Sequence, residues 1–113
     1  MKQEFKIIAN LVENNTRVLD VGCGDGTLME FLKNNKEVDI RGIEISKSKV
    51  QKCVQKGLTV IEGDAEIDLS QFPDKSFDYV ILSQTLQAFL NPEKVISELL
   101  RVGKKAIVTI PNF

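Results

Sequence analysis

Residues 17–26 constrain the fold more than any other part of the chain. A short apolar run, RVLDV, ends directly on Gly22-Cys23-Gly24-Asp25-Gly26, and Leu28, Phe31 and Leu32 then open a helical apolar face. An apolar run of this length bounded by glycine reads as a buried parallel strand. Glycine permits positive φ and close approach of backbone to a ligand, which a loop between strand and helix can use. The same alternation continues along the chain. Phe5, Ile8, Leu11 and Val12 predict a first helix over residues 3–13. Residues 38–44 (VDIRGIE) predict a second strand, and Ser46 caps a helix with Val50, Cys53 and Val54 inside and Gly57 as its stop. Residues 58–61 and 77–82 (FDYVIL) are strands three and four. Asn91-Pro92 opens a helix with Val95, Ile96, Leu99 and Leu100 inside, Arg101 in its last turn and Gly103 at its end. Residues 105–110 (KAIVTI) form the fifth strand. This order predicts an α/β fold, a doubly wound and mainly parallel sheet, and 113 residues suit one domain spanning residues 1–113.

Composition removes several chemistries. Histidine is absent, which excludes Ser–His–Asp and Cys–His machinery, imidazole bases and His-bound metals. The two cysteines, Cys23 and Cys53, form no CxxC pair, so no metal site is expected. Cys53 is read as a core residue. Fifteen Lys plus Arg against sixteen Asp plus Glu leave a net charge of −1, which disfavours a nucleic-acid or anionic-membrane binder. Lys49, Lys52 and Lys56 are accordingly read as a solvated helix face. No apolar run approaches the roughly 18 residues of a membrane span, and MKQEFKII lacks a signal peptide's apolar stretch, so a cytoplasmic location is expected.

The candidate chemistry gathers where the first strands end. A dinucleotide site wants G-x-G-x-x-G with pyrophosphate at the helix N-terminus. Here the spacing is G-x-G-x-G over Gly22, Gly24 and Gly26, with Asp20 and Asp25 beside it. Carboxylates repel pyrophosphate and attract an ammonium and a sulfonium, the two cations of S-adenosylmethionine. Asp20 can also tie down its own loop. Cys23 is read as a small packing residue of that loop, without a His to activate it. Glu44, ending the second strand with Ile45 beside it, suits the ribose hydroxyls of a nucleoside. In Glu62-Gly63-Asp64-Ala65-Glu66, Asp64 can accept from the adenine amine or serve only as a turn acid. The polar residues Ser83, Gln84 and Thr85, ending the fourth strand, are candidates for the methionine or acceptor side. The cofactor-binding set is therefore Asp20, Gly22, Cys23, Gly24, Asp25, Gly26, Glu44, Ile45, Asp64, Ala65 and Ser83. No catalytic residue is assigned.

The run VLDVGCGDGTL, Glu44, the Asp64 turn and FDYVIL resemble the first four motifs of class I S-adenosylmethionine-dependent methyltransferases. More narrowly, FDYVILSQTLQAFLNPEKVISELLRVGKKAIVTIPNF resembles the methionine-biosynthesis protein MetW family over nearly the whole chain. The resemblance implies S-adenosylmethionine or S-adenosylhomocysteine as ligand, strand order 3-2-1-4-5, and a link to homoserine O-acyltransferase in methionine synthesis. Class I sheets continue to an antiparallel final hairpin, which this chain lacks, so it is read as an N-terminal, C-terminally truncated portion. Its fifth strand is then an edge, and either self-association through residues 105–110 or cover of that edge by further chain is expected.

Three functions compete on these residues. A methyltransferase needs little beyond positioning, because the sulfonium is already activated. A non-catalytic S-adenosylmethionine-sensing partner of the acyltransferase would bind the same ligand without turnover. An NAD-dependent oxidoreductase is disfavoured by the glycine spacing and Asp20.

Overall fold

Each apolar run becomes one strand of a five-stranded sheet in the computed structural model, which describes residues 1–83 and 85–111. Gln84, Asn112 and Phe113 lie outside the described residues. The strands are β1 (Arg17–Val21), β2 (Asp39–Glu44), β3 (Thr59–Glu62), β4 (Phe77–Ser83) and β5 (Gly103–Thr109). Their order is β3-β2-β1-β4-β5, and every pairing is parallel. The chain order reverses between β1 and β4, and a crevice opens beyond the strands' carboxyl ends at such a switch. As expected, among the described residues β5 pairs only with β4 and forms an edge.

Helices α1 (Gln3–Leu11), α2 (Thr27–Lys36) and α3 (Lys47–Gln55) cover one face. The one-turn α4 (Ala65–Asp68) follows β3, and α5 (Pro92–Val102) covers the other face. Alternation along each strand sorts the core. Val18, Ile40 and Ile81 join the α1–α3 side, whereas Leu19, Ile43, Val80 and Leu82 join the α5 side. By the same parity Asp20, Glu44 and Ser83 share the α1–α3 side of the sheet.

The helix ends follow their local chemistry with one exception. Asn91 accepts from Lys94 N at 3.2 Å and Pro92 occupies the first turn of α5, as predicted. Ser46 occupies the N-cap position of α3, but its hydroxyl faces Ser48 Oγ at 3.2 Å and makes no cap bond. Three residues assigned to inner faces are exposed, namely Leu11, Val54 and Leu100. The buried stripe of α1 runs through Phe5, Ile8, Ala9 and Val12, a strict i, i+3, i+4, i+7 series that Leu11 does not join. Cys53 alone is fully buried on α3, which covers the outer, four-residue strand β3.

Candidate functional site

The glycine loop after β1 is held from two sides. Gly22 N and Cys23 N both donate to Ile43 O, at 2.8 and 3.2 Å, and Gly24 N donates to Glu44 Oε1 at 2.8 Å. On the other side Cys53 Sγ and Lys56 Nζ donate to Gly24 O and Asp25 O, at 3.2 and 3.0 Å. Gly26, at φ +86°, must be glycine, since a Cβ would lie 2.5 Å from Leu58 Cδ1. The N–H groups of Gly22, Cys23 and Gly24 are therefore taken up inside the fold. They are engaged with β2, and Thr27 N, at the start of α2, donates to Asp25 Oδ1 at 3.1 Å. An internal carboxylate therefore sits where a pyrophosphate would need to bind.

Two cavities adjoin the loop and share Gly22, Gly24 and Lys49. The first, about 360 Å³, is lined by Glu44, Ile45, Asp64, Ala65 and Glu66 on one side and by Thr85, Ala88 and Phe89 on the other. The second, about 460 Å³, takes in Asp20, Cys23, Asp25 and Ser83, with Met1, Lys2 and Phe5 from the N-terminal segment and Lys52 from α3. Every residue of the predicted set lines one cavity or the other except Gly26, which is buried against Cys53 and Leu58.

The polar groups of the first cavity are held in place. Glu44 is buried, and its second oxygen accepts from Ser46 N at 2.9 Å. A carboxylate oxygen can accept twice, so both keep capacity for a vicinal diol. Asp64 Oδ1 accepts from Glu66 N at 3.0 Å as the cap of α4, and Asp64 N donates to Asp68 Oδ2 at 2.7 Å. Thr85 Oγ1 is buried without a partner among the described residues, and a Cβ on Gly22 would approach it to 3.6 Å. An unpartnered hydroxyl beside a bare glycine backbone fits a ligand lying across the loop.

The second cavity is built around a strained charge. Asp20 is only 3% exposed, and its carboxylate takes no hydrogen bond among the described residues. Burial, and then the nearby Glu44 charge, push its pKa up to about 7. A cation placed there would oppose that shift. Asp25, exposed and hydrogen-bonded by Thr27, is instead held below the usual carboxylate range. Burial raises the thiol pKa values of Cys23 and Cys53, consistent with packing roles.

Sequence reasoning missed several wall residues. Lys49 and Lys52, read as solvated, border the cavities, and Lys56 binds the loop. The N-terminal helix roofs the second cavity, where Ser83 Oγ donates to the Glu4 carboxylate. Only the three-dimensional pairing of residues far apart in sequence reveals these roles.

The family model for "Methionine biosynthesis protein MetW" matches residues 2–113. The chain belongs to the MetW family. A similar relative is the bifunctional methionine biosynthesis protein MetXA/MetW of Rhodopirellula baltica, 35% identical over 114 residues, covering 94% of this chain and 18% of that protein. A demethylmenaquinone methyltransferase of Leptospira interrogans is 35% identical over 106 residues, covering 86% of this chain and 42% of its own. The MetW-family chain thus spans less than half the length of these relatives. Among solved structures, a SAM-dependent methyltransferase from Archaeoglobus fulgidus superposes with a TM-score of 0.82 at 24% identity, over 95% of this chain and 49% of that one. The [4+2]-cyclase SpnF superposes with a TM-score of 0.79 at 26% identity, over 89% and 40%. The MetW-family sheet is therefore that of the class I methyltransferase fold, and the fold by itself does not fix the reaction.

Proposed function

We propose that this chain binds S-adenosylmethionine, or its product S-adenosylhomocysteine, across the two cavities, as the cofactor-binding part of a methyltransferase-like protein in methionine biosynthesis. The observation that carries the reading is the pairing of the buried Asp20, which no described donor reaches, with a glycine loop whose Gly22, Cys23 and Gly24 N–H groups are already engaged. Such a site attracts cations and offers little to a phosphate. Glu44 would take the ribose hydroxyls, Asp64, Ala65 and Ile45 would border the adenine, and Asp20 would face the ammonium of the methionine part. The bound cofactor supplies an activated methyl group; the chain's own residues bind, orient and exclude water. Calorimetry with S-adenosylhomocysteine and NADH tests this. The former is expected to bind and the latter not, and equal affinities overturn the reading.

For partners, the MetW resemblance implies homoserine O-acyltransferase, and the name of the bifunctional MetXA/MetW relative supports that link. The second reading is a sensor that binds the cofactor and acts on the acyltransferase without turnover. Formation of S-adenosylhomocysteine in the presence of the acyltransferase separates the two. The outer edge of β5, with Ile107 and Val108, is the proposed route for self-association. Sedimentation of wild type against Val108→Lys tests it, with a wild-type monomer at high concentration as the contrary result.

A further inference from the structure

The two walls of the first cavity come from distant parts of the chain, and one carboxylate joins them. Glu66, on α4, accepts from Leu90 N through Oε1 and from Asn91 N through Oε2, both at 3.0 Å. Its own wall comprises Asp64, Ala65 and Glu66, while Thr85, Ala88 and Phe89 lie opposite. Leu86 and Phe89 pack at the margin of the α5-side core, and in the turn between them Ala88 N donates to Thr85 O and Phe89 N to Leu86 O. Leu90 is 96% exposed, so packing does not secure that end. Asn91 already caps α5 through Lys94 N, and Glu66 fixes this cap to α4.

We propose that Glu66 is a positioning residue for the purine-nucleoside end of the site, holding residues 89–91 against α4 so that the opposite wall stays closed on an adenosyl group. The inference rests on the cofactor reading above. Glu66 acts through the wall it holds. Two consecutive N–H donors suit a carboxylate, whose two oxygens both accept. An amide keeps one acceptor and turns an NH2 toward the second donor, so Gln replaces only part of the clamp. Loss of the clamp leaves the ligand's contacts intact in kind but lets the wall open, which acts chiefly on dissociation.

The test compares wild type, Glu66→Ala and Glu66→Gln for binding of S-adenosylhomocysteine and of 5′-methylthioadenosine, which carries the nucleoside without the amino-acid end. Glu66→Ala is expected to weaken both ligands by the same factor, about five- to tenfold, mainly through faster dissociation, with Glu66→Gln between it and wild type. The pH dependence of S-adenosylhomocysteine binding is expected to stay as in wild type, because Asp20 lies in the other cavity. A merely structural residue would disturb both ends and alter that profile. Wild-type dissociation rates in Glu66→Ala, or a loss confined to S-adenosylhomocysteine, overturn the inference. Should Glu66→Ala fail to fold, Glu66→Gln decides, and wild-type rates in that variant count against the clamp. Wild-type protein that binds neither ligand overturns the cofactor reading and this inference together.

Discussion

The two cavities beside the glycine loop differ in how complete they are. In the first, each carboxylate has backbone donors: Glu44 has Gly24 N and Ser46 N, Asp64 has Glu66 N, and Glu66 has Leu90 N and Asn91 N. In the second, Asp20 is as buried as Glu44, yet no described donor reaches it, and its pKa stands near 7. The first cavity is preformed in shape; the second is unfinished in charge. A ligand with a neutral polar end and a cationic end would complete the pair, and the cost of burying Asp20 becomes binding selectivity.

The comparison breaks most visibly at Asp20. Asp20→Asn is expected to cut S-adenosylhomocysteine affinity at pH 7.5 by about ten- to a hundredfold, since a bond between charged groups contributes about 1.5–3 kcal/mol. The same substitution is expected to raise the melting temperature of the free protein, because an isolated buried charge is removed. Calorimetry and thermal unfolding read the two effects, and a fall in both affinity and stability would show that Asp20 is a structural acid.

Glu44 sharpens the contrast from the other side. Glu44→Ala is expected to weaken binding about tenfold and also to lower stability by about 1–3 kcal/mol, because Gly24 N and Ser46 N lose their acceptor. Glu44→Gln, retaining one acceptor oxygen, is expected to lose less of both. Denaturant unfolding alongside calorimetry tests this, and unchanged binding in Glu44→Ala would remove the carboxylate from the ligand site.

The smallest expected effect is in pH. A carboxyl ionising near 7 in the fold, but near 4 when unfolded, holds a proton the unfolded chain has lost. Its contribution to stability is full below about pH 4 and disappears as pH rises through about 7. Binding of a cation has the opposite slope, with affinity rising about fourfold between pH 6.5 and 8 as Asp20 ionises. Titration calorimetry across that range is expected to show the rise in wild type and a flat profile in Asp20→Asn. A flat wild-type profile would place the ligand's cation elsewhere.

How much was legible beforehand follows from distance along the chain. RVLDV into the glycine loop, Glu44 at the end of β2 and Asn91-Pro92 before α5 each carry their signal within a few residues, and the two strand ends and the helix start fall where those signals put them. The contacts that close the site span the chain instead: Glu66 reaches residues 90 and 91, Lys56 reaches the loop, and Ser83 reaches Glu4. No local pattern announces them. The exposed Leu11, Val54 and Leu100 were misassigned for a related reason, since helical periodicity gives the apolar faces but not the width of the stripe a neighbouring strand can cover.

The Asp25–Thr27 contact has a consequence for the company this protein can keep. Phosphate-bearing nucleotides share the adenosyl shape with the proposed ligand, and in any solution where they are abundant they would occupy a tolerant pocket by mass action alone. With its own carboxylate seated at the start of α2, at 3.1 Å from Thr27 N and 2.7 Å from its hydroxyl, the chain carries a built-in competitor for their anionic tail. On the proposed reading, the site would thereby stay open to a positively charged relative, and its occupancy would follow that ligand's concentration rather than the nucleotide background.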